Sequence, residues 1–238
     1  MSSINNRAPR PPAKMKHDKI HISPFDDLAK EYDDWFDREG SLIFSIEVQA
    51  FRELLPLLPK PRLEIGVGSG RFAQALGIET GVDPSARLVE MAMKRGINAL
   101  LGEGEQLLFD KESFGTVFLI VTLCFLDSPL DVMKEANRIL MPGGKIVLGL
   151  VLEESPWGRF YQAKKAEGHR FYKYATFYRC DDVTRLMTQA GFVNERIVST
   201  LFQSPGEMQH MEEAREGYFS DAGFTIIVAG KGKAAAGP

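Results

Sequence analysis

The sequence has 238 residues, of which 44% are apolar and 26% charged, with a formal net charge of −3. That composition belongs to an ordinary soluble globular protein with a sizeable core, and it excludes collagen-like, disulfide-rich and wholly disordered chains. The near-balanced charge gives no reason to expect nucleic acid, and the longest uncharged apolar-rich run, Gly115 to Leu126, falls short of the ~20 residues of a membrane span.

Residues 1–22 carry Arg7, Arg10, Lys14, Lys16 and Lys19 against Asp18, with Pro9, Pro11 and Pro12. Such a segment buries too little apolar surface to offset its ordering entropy, so a disordered basic tail is expected, with no signal-peptide core after Met1. From Asp26 the spacing of Leu28, Tyr32, Trp35 and Phe36 predicts a helix. A second helix is predicted from about Ser45 to Leu55, ended by Pro56 and Pro59. Residues 23–56 are read as an N-terminal helical lid.

Short apolar runs then alternate with helical stretches. Strands are predicted near 63–66, 78–82, 97–101, 117–121 and 145–152, and helices at 70–76, 85–95 and 129–140. This alternation implies β-α-β units and a mainly parallel sheet with helices on both faces. An insertion follows at 153–180. Between Trp157 and Arg179 it holds eight aromatic residues and six Lys or Arg against one acid, Glu167. A helix at 181–190 and β-prone runs at 196–202 and 224–229 close the domain, read as 23–230. Residues 231–238 are read as a disordered tail.

The most informative stretch is Leu63-Glu64-Ile65-Gly66-Val67-Gly68-Ser69-Gly70-Arg71, a strand feeding a glycine-rich turn and a helix. Glycines there allow positive φ and close approach of a ligand to the main chain. Gly68, Gly70 and Ala73 satisfy a loose dinucleotide pattern. However, Glu64 would oppose a pyrophosphate, and counted from Gly66 the third dinucleotide glycine falls on Arg71. A ribose-bearing ligand without phosphate fits the charge better. Asp83, in Gly81-Val82-Asp83-Pro84, sits at a strand end where its carboxylate can accept from ribose hydroxyls, or cap the next helix, or both. In Gly102-Glu103-Gly104-Glu105, the acid can accept from an adenine amino group and the N–H of Gly104 can donate to a ring nitrogen.

Together with Phe114-Gly115-Thr116-Val117 and Leu140-Met141-Pro142-Gly143-Gly144, these motifs resemble the class I S-adenosylmethionine-dependent methyltransferases, in the small-molecule branch of ubiquinone and menaquinone methyltransferases. The resemblance covers about Phe25 to Ala229. It implies a Rossmann-like α/β fold with a seven-stranded, mainly parallel sheet whose last strand is antiparallel. It also implies S-adenosyl-L-methionine as cofactor, with S-adenosyl-L-homocysteine as product and no metal. Glu64, Gly66 and Gly68 would line the methionine and ribose part of the cofactor, and Asp83 with Pro84 the ribose. Glu103 and Gly104 would meet the adenine, the backbone of Val121 and Thr122 the amino group, and Tyr32 of the lid the methionine carboxylate. Glu103 stands where Asp is usual, and Leu123-Cys124-Phe125 replaces the family's histidine-bearing segment, which leaves the acceptor open.

Methyl transfer from a sulfonium is an in-line displacement that depends mainly on alignment, so the absence of an obvious base is no obstacle. Trp35, Phe125, Tyr161 and Tyr172 are the candidate walls for a small-molecule acceptor; the same aromatics also read as packing. The six cations of the insertion suggest an anionic or aromatic acceptor, or a solvated face. His169 reads as a surface histidine and Cys124 as inert packing. Two cysteines and four scattered histidines show no metal-ligand spacing, and a reducing, cytoplasmic compartment suits them. An NAD(P)-dependent oxidoreductase and a non-catalytic S-adenosylmethionine-binding subunit are the alternatives. Oligomeric state is not legible.

Overall fold

The computed structural model describes residues 25–232. The readings of residues 1–22 and 233–238 as tails fall outside that range. Two helices come first, α1 (Ala29–Trp35) and α2 (Ser41–Leu54). α2 starts earlier than Ser45 because that hydroxyl, instead of capping, bonds back to the Ser41 carbonyl at 2.7 Å inside the helix. Its buried stripe is Ile43, Ile46, Glu47, Ala50, Phe51 and Leu54.

The alternating region then forms as expected: β1 (Arg62–Ile65), α3 (Arg71–Leu76), β2 (Thr80–Asp83), α4 (Ala86–Lys94), β3 (Asn98–Leu101), β4 (Phe114–Ile120), α5 (Pro129–Ile139) and β5 (Leu140–Leu150). The aromatic insertion contains a further helix, α6 (Pro156–Ala166), capped by Ser155, whose hydroxyl accepts from the Gly158 N–H at 2.8 Å. α7 (Cys180–Gln189), β6 (Phe192–Thr200), β7 (Arg215–Glu216) and β8 (Phe224–Lys231) complete the described chain. β8 reaches Lys231, the first residue of the segment read as a loose tail, and the Lys231 ammonium donates to the Leu140 carbonyl at 2.7 Å.

The strands form one sheet in the order β3-β2-β1-β4-β5-β8-β6-β7. β1 to β5 are parallel, and β8 is antiparallel to both β5 and β6. The sheet has eight strands instead of seven because the linker after β6 adds the two-residue edge strand β7. The Arg196 guanidinium holds it there, donating to Glu216 at 2.7 Å.

β4 is buried along its whole length, as a central parallel strand covered on both faces must be. Phe118 and Ile120 join Phe51, Phe72 and Phe224 on the side of α2, α3 and α4. Val117 and Leu119 join Met133, Ile146 and Met187 on the side of α5 and α7. This two-sided burial holds the carboxyl ends of β1, β2 and β4 in register: Ile65 pairs with Val82 and Glu64 with Phe118. A doubly covered parallel sheet presents its ligand crevice at that edge.

Candidate active site

β1 runs into a turn in which Gly66 and Gly68 have φ of +73° and +53°. The N–H groups of Gly66 and Val67 both donate to the Val82 carbonyl, at 2.8 and 3.0 Å, which ties the turn to the end of β2. A methyl group on Gly66 would stand 2.4 Å from Thr122 Cγ2, and one on Gly68 would stand 3.3 Å from the Tyr32 ring. Positive φ and crowding together restrict both positions to glycine.

Two acids lie beneath the turn. Asp83 accepts from the N–H of Gly68 at 2.8 Å through one oxygen and from the N–H of Ser85 at 2.9 Å through the other. Burial pushes its carboxyl up to about 6 although both N–H groups oppose the shift. The cap of α4 is Ser85, whose hydroxyl accepts from the Leu88 N–H at 3.2 Å. The helix cap is therefore Ser85 and not Asp83, whose carboxylate links the glycine turn to the N-cap residue of α4. Glu64 is buried, and burial followed by the nearby Asp83 charge raises its carboxyl well above the usual range, against the main-chain N–H of Ala73. Among the described residues its Oε2 atom has no hydrogen-bond partner.

At the end of β4, Val121 has φ of +52°. For a β-branched residue that conformation costs roughly 1–3 kcal/mol and persists only where its surroundings enforce it. Here the Val121 N–H is held by the Gly149 carbonyl at 2.9 Å, and the Thr122 hydroxyl donates to the Ile120 carbonyl at 3.0 Å. Pro84 and Glu103 are exposed; no hydrogen bond joins Glu103 to Glu64 or Asp83, although its loop is tied to β2 by Gly102 N–H donating to the Asp83 carbonyl at 3.1 Å. Gly104 is buried for a packing reason, since a methyl group there would stand 2.9 Å from Ile65 Cγ2.

α1 is latched to the glycine turn. Asp33 of α1 accepts from the Ser69 hydroxyl at 2.6 Å, from Arg71 Nε at 2.8 Å and from Arg95 Nη2 at 2.8 Å. Burial works to raise the Asp33 carboxyl, but the bonds from Arg71, Ser69 and Arg95 outweigh it and hold the group at about 2. The latch seats Tyr32 on Gly68. Burial, then the charges of Asp83 and Glu64, raise its phenol far above the ordinary value.

On the other side of Tyr32 and Val121 opens a cavity of about 1040 Å³. All four residues expected at the acceptor wall line it: Trp35, Phe125, Tyr161 and Tyr172. The Tyr161 and Tyr172 rings lie 4.4 Å apart, centre to centre. His169 is half-buried: its ring packs 4.7 Å from Tyr172 and lines the same cavity. Cys124 also lines the cavity, and burial pushes its thiol up to about 12, which keeps it unreactive.

The family model for a methyltransferase domain matches residues 63–148, the span from β1 to β5 that carries the glycine turn and the strand ends. A crystal structure from Thermotoga maritima, a "SAM-dependent methyltransferase, possible histamine N-methyltransferase", superposes with a TM-score of 0.80 at 40% identity, covering 87% of this chain and 98% of that one. The chain belongs to the class I S-adenosylmethionine-dependent methyltransferases. An uncharacterized protein of Methanocaldococcus jannaschii is 38% identical to the methyltransferase over 211 residues, 88% of this chain and 100% of its own length. The demethylmenaquinone methyltransferase of Staphylococcus aureus is 26% identical over 171 residues, 58% of this methyltransferase and 69% of that protein. The nicotinamide alternative falls with this assignment.

Two features of the methyltransferase were missed in the sequence. The Asp33 latch joins residues far apart in the chain, and nothing local marks it. Glu47 does carry a signal: it interrupts the apolar stripe of α2 four residues after Ile43 and four before Phe51. It lines the cavity, and burial pushes its carboxyl up to about 8.

Proposed function

We propose that the methyltransferase moves the methyl group of S-adenosyl-L-methionine to a small molecule held in the aromatic cavity. One observation carries this reading. The cavity and the glycine turn share a wall, since Tyr32 lies on Gly68 and lines the cavity. A hollow of this size with mostly aromatic walls suits a compact organic ligand.

The residues at the turn fit the cofactor. Gly66 and Gly68 give the close main-chain approach that a methionine and ribose need, and the unpartnered Glu64 oxygen faces inward where a cationic group would satisfy it. Each Asp83 oxygen has one lone pair left for a ribose hydroxyl. We assign Pro84 to shaping that corner, Glu103 and Gly104 to the adenine, Val121 and Thr122 main chain to the amino group, and Tyr32 to the carboxylate end. When bound, the cofactor supplies an electrophilic methyl on a sulfonium sulfur. The chain's own part is to align and to exclude water. Good alignment is worth ~7–11 kcal/mol of barrier in favourable cases. A neutral nucleophile needs no base, and no metal is assigned a role; among the described residues no group of three or more His, Cys, Asp or Glu is arranged to hold one.

On this reading residues 25–232 act as one unit, with 25–56 as lid and 153–180 as the acceptor side. No helix of the described residues is long and apolar enough to cross a membrane. We place the reaction in the cytoplasm, where two free cysteines are stable.

The test uses methyl-labelled S-adenosyl-L-methionine and cell extract separated into low-molecular-weight, RNA and protein fractions. Label should enter the low-molecular-weight fraction, and Tyr161→Ala should reduce that labelling about tenfold or more while cofactor affinity stays within about twofold, as loss of one wall contact predicts. Label confined to RNA or protein would overturn the small-molecule reading.

A further inference from the structure

We infer that Glu47 is the counter-ion for a protonated amine, and that the acceptor is therefore a small ring-bearing amine. The inference rests on the small-molecule reading above and narrows it. Glu47 is 5% exposed, on the inward stripe of α2, and its carboxyl opens on the cavity. Among the described residues nothing donates a hydrogen bond to it and no cation pairs with it. A carboxyl taken out of water without a partner is costly, and a sequence that keeps one in an aromatic hollow has a site with one half missing. The unfavourable setting shows in the carboxyl itself, which burial alone pushes up to about 8.

Most other charges at the cavity have partners, the exceptions being exposed Glu39, which pairs with no cation among the described residues, and half-buried Lys164, which meets only a ring. Lys30 pairs with Asp34 at 2.5 Å, and Arg170 with Glu31 at 2.7 Å. Lys164 lies over the Phe160 ring at 5.0 Å. The remaining cations of the insertion also turn elsewhere: Lys165 donates to the Ala175 carbonyl, Arg159 to the Glu154 carbonyl, and Lys173 covers Tyr174. Exposed Arg179 sits near the Glu154 carboxyl. An anionic acceptor is not favoured: of those six cations only Lys164 and Arg170 line the cavity, Arg170 is already paired with Glu31, and an anion gives the Glu47 carboxyl no counter-charge.

An ammonium solves both problems. It gives the Glu47 carboxylate its missing donors, and the faces of Trp35, Tyr161 and Tyr172 add cation–π attraction. Glu47, Tyr161, Tyr172 and Tyr32 line the same cavity, so the anchor lies among those rings. A neutral alcohol of the same shape leaves the carboxyl unpaired by charge.

Calorimetric titration tests this on full-length protein saturated with S-adenosyl-L-homocysteine. The probes are 2-phenylethylamine and tryptamine, each beside the alcohol and the carboxylate of matching length. We expect the amines to bind about tenfold or more tightly than the alcohols, the scale of one charged hydrogen bond, and the carboxylates to bind more weakly still. Glu47→Gln should bring amine and alcohol to near parity without changing S-adenosyl-L-homocysteine affinity. The comparison of ligands on the unaltered protein stands alone if that variant does not fold. Alcohols or carboxylates binding as well as amines, no amine binding at all, or an unchanged amine preference in Glu47→Gln would overturn the inference while leaving methyl transfer to a small molecule intact. Failure of S-adenosyl-L-homocysteine itself to bind would overturn the cofactor site and this inference with it.

Discussion

Both carboxylate oxygens of Asp83 accept a main-chain N–H, one from Gly68 and one from Ser85, so the same side chain shapes the turn and faces the proposed ribose. Removing it should be felt in binding. Asp83→Ala is expected to weaken S-adenosyl-L-methionine by about 1.5–3 kcal/mol, the scale of a charged hydrogen bond, measured by titration calorimetry. The sign of the pH effect follows from burial. Because the carboxyl sits at about 6, protonation as pH falls through that value removes its acceptor strength, and cofactor affinity should drop below pH 6. The groups facing it are Gly68, Ser85, Asp26 and Glu64, and the two acids can only add repulsion as pH rises. Unchanged affinity in the variant would remove Asp83 from the site.

At the scale of elements, α1 is short, and Asp33 ties it to the glycine turn, to α3 and to the end of α4. Asp33 receives two guanidinium groups and a hydroxyl, and its side chain is 11% exposed against 17% for Arg71 and 19% for Arg95. Breaking one partner of such a cluster leaves charges uncompensated, so Asp33→Ala should cost about 3 kcal/mol in urea unfolding. The pH dependence has a definite sign. A carboxyl held at about 2 against a usual 3.8 stabilises the fold fully above pH 4, and that contribution is lost as pH falls toward 2. Cofactor affinity should fall together with stability, because Tyr32 loses its seat on Gly68. A variant that unfolds at the same urea concentration and binds cofactor as before would show that the latch is decorative.

For the whole molecule, the alternation of apolar runs and helical stretches was enough to place the central sheet, because a parallel sheet covered on both faces leaves β4 apolar throughout. The order of the glycine turn, Asp83 and the loop after β3 was legible for the same reason: strand ends are consecutive in sequence and adjacent in space. Elements that depend on distant partners were not legible. β7 forms by pairing Arg215 and Glu216 with Ser199 and Val198 across a long linker, and the Asp33 latch gathers residues from α1, the glycine turn and the end of α4. α6 was hidden because its aromatic residues point into a cavity as well as into the core, which blurs the helical stripe. Glu47 stood in plain view on an apolar face; its meaning required knowing that the face looks onto a hollow.

On the proposed reading, the ends of β1, β2 and β4 hold S-adenosyl-L-methionine beside that hollow. Thermal unfolding of the full chain with S-adenosyl-L-methionine, S-adenosyl-L-homocysteine or NAD tests it most directly. At about one hundred times the dissociation constant, the first two should add ~2.7 kcal/mol, or roughly 5–10 °C for a chain of this size, and NAD should leave the midpoint where it was. A shift with NAD and none with the sulfur compounds would contradict the account.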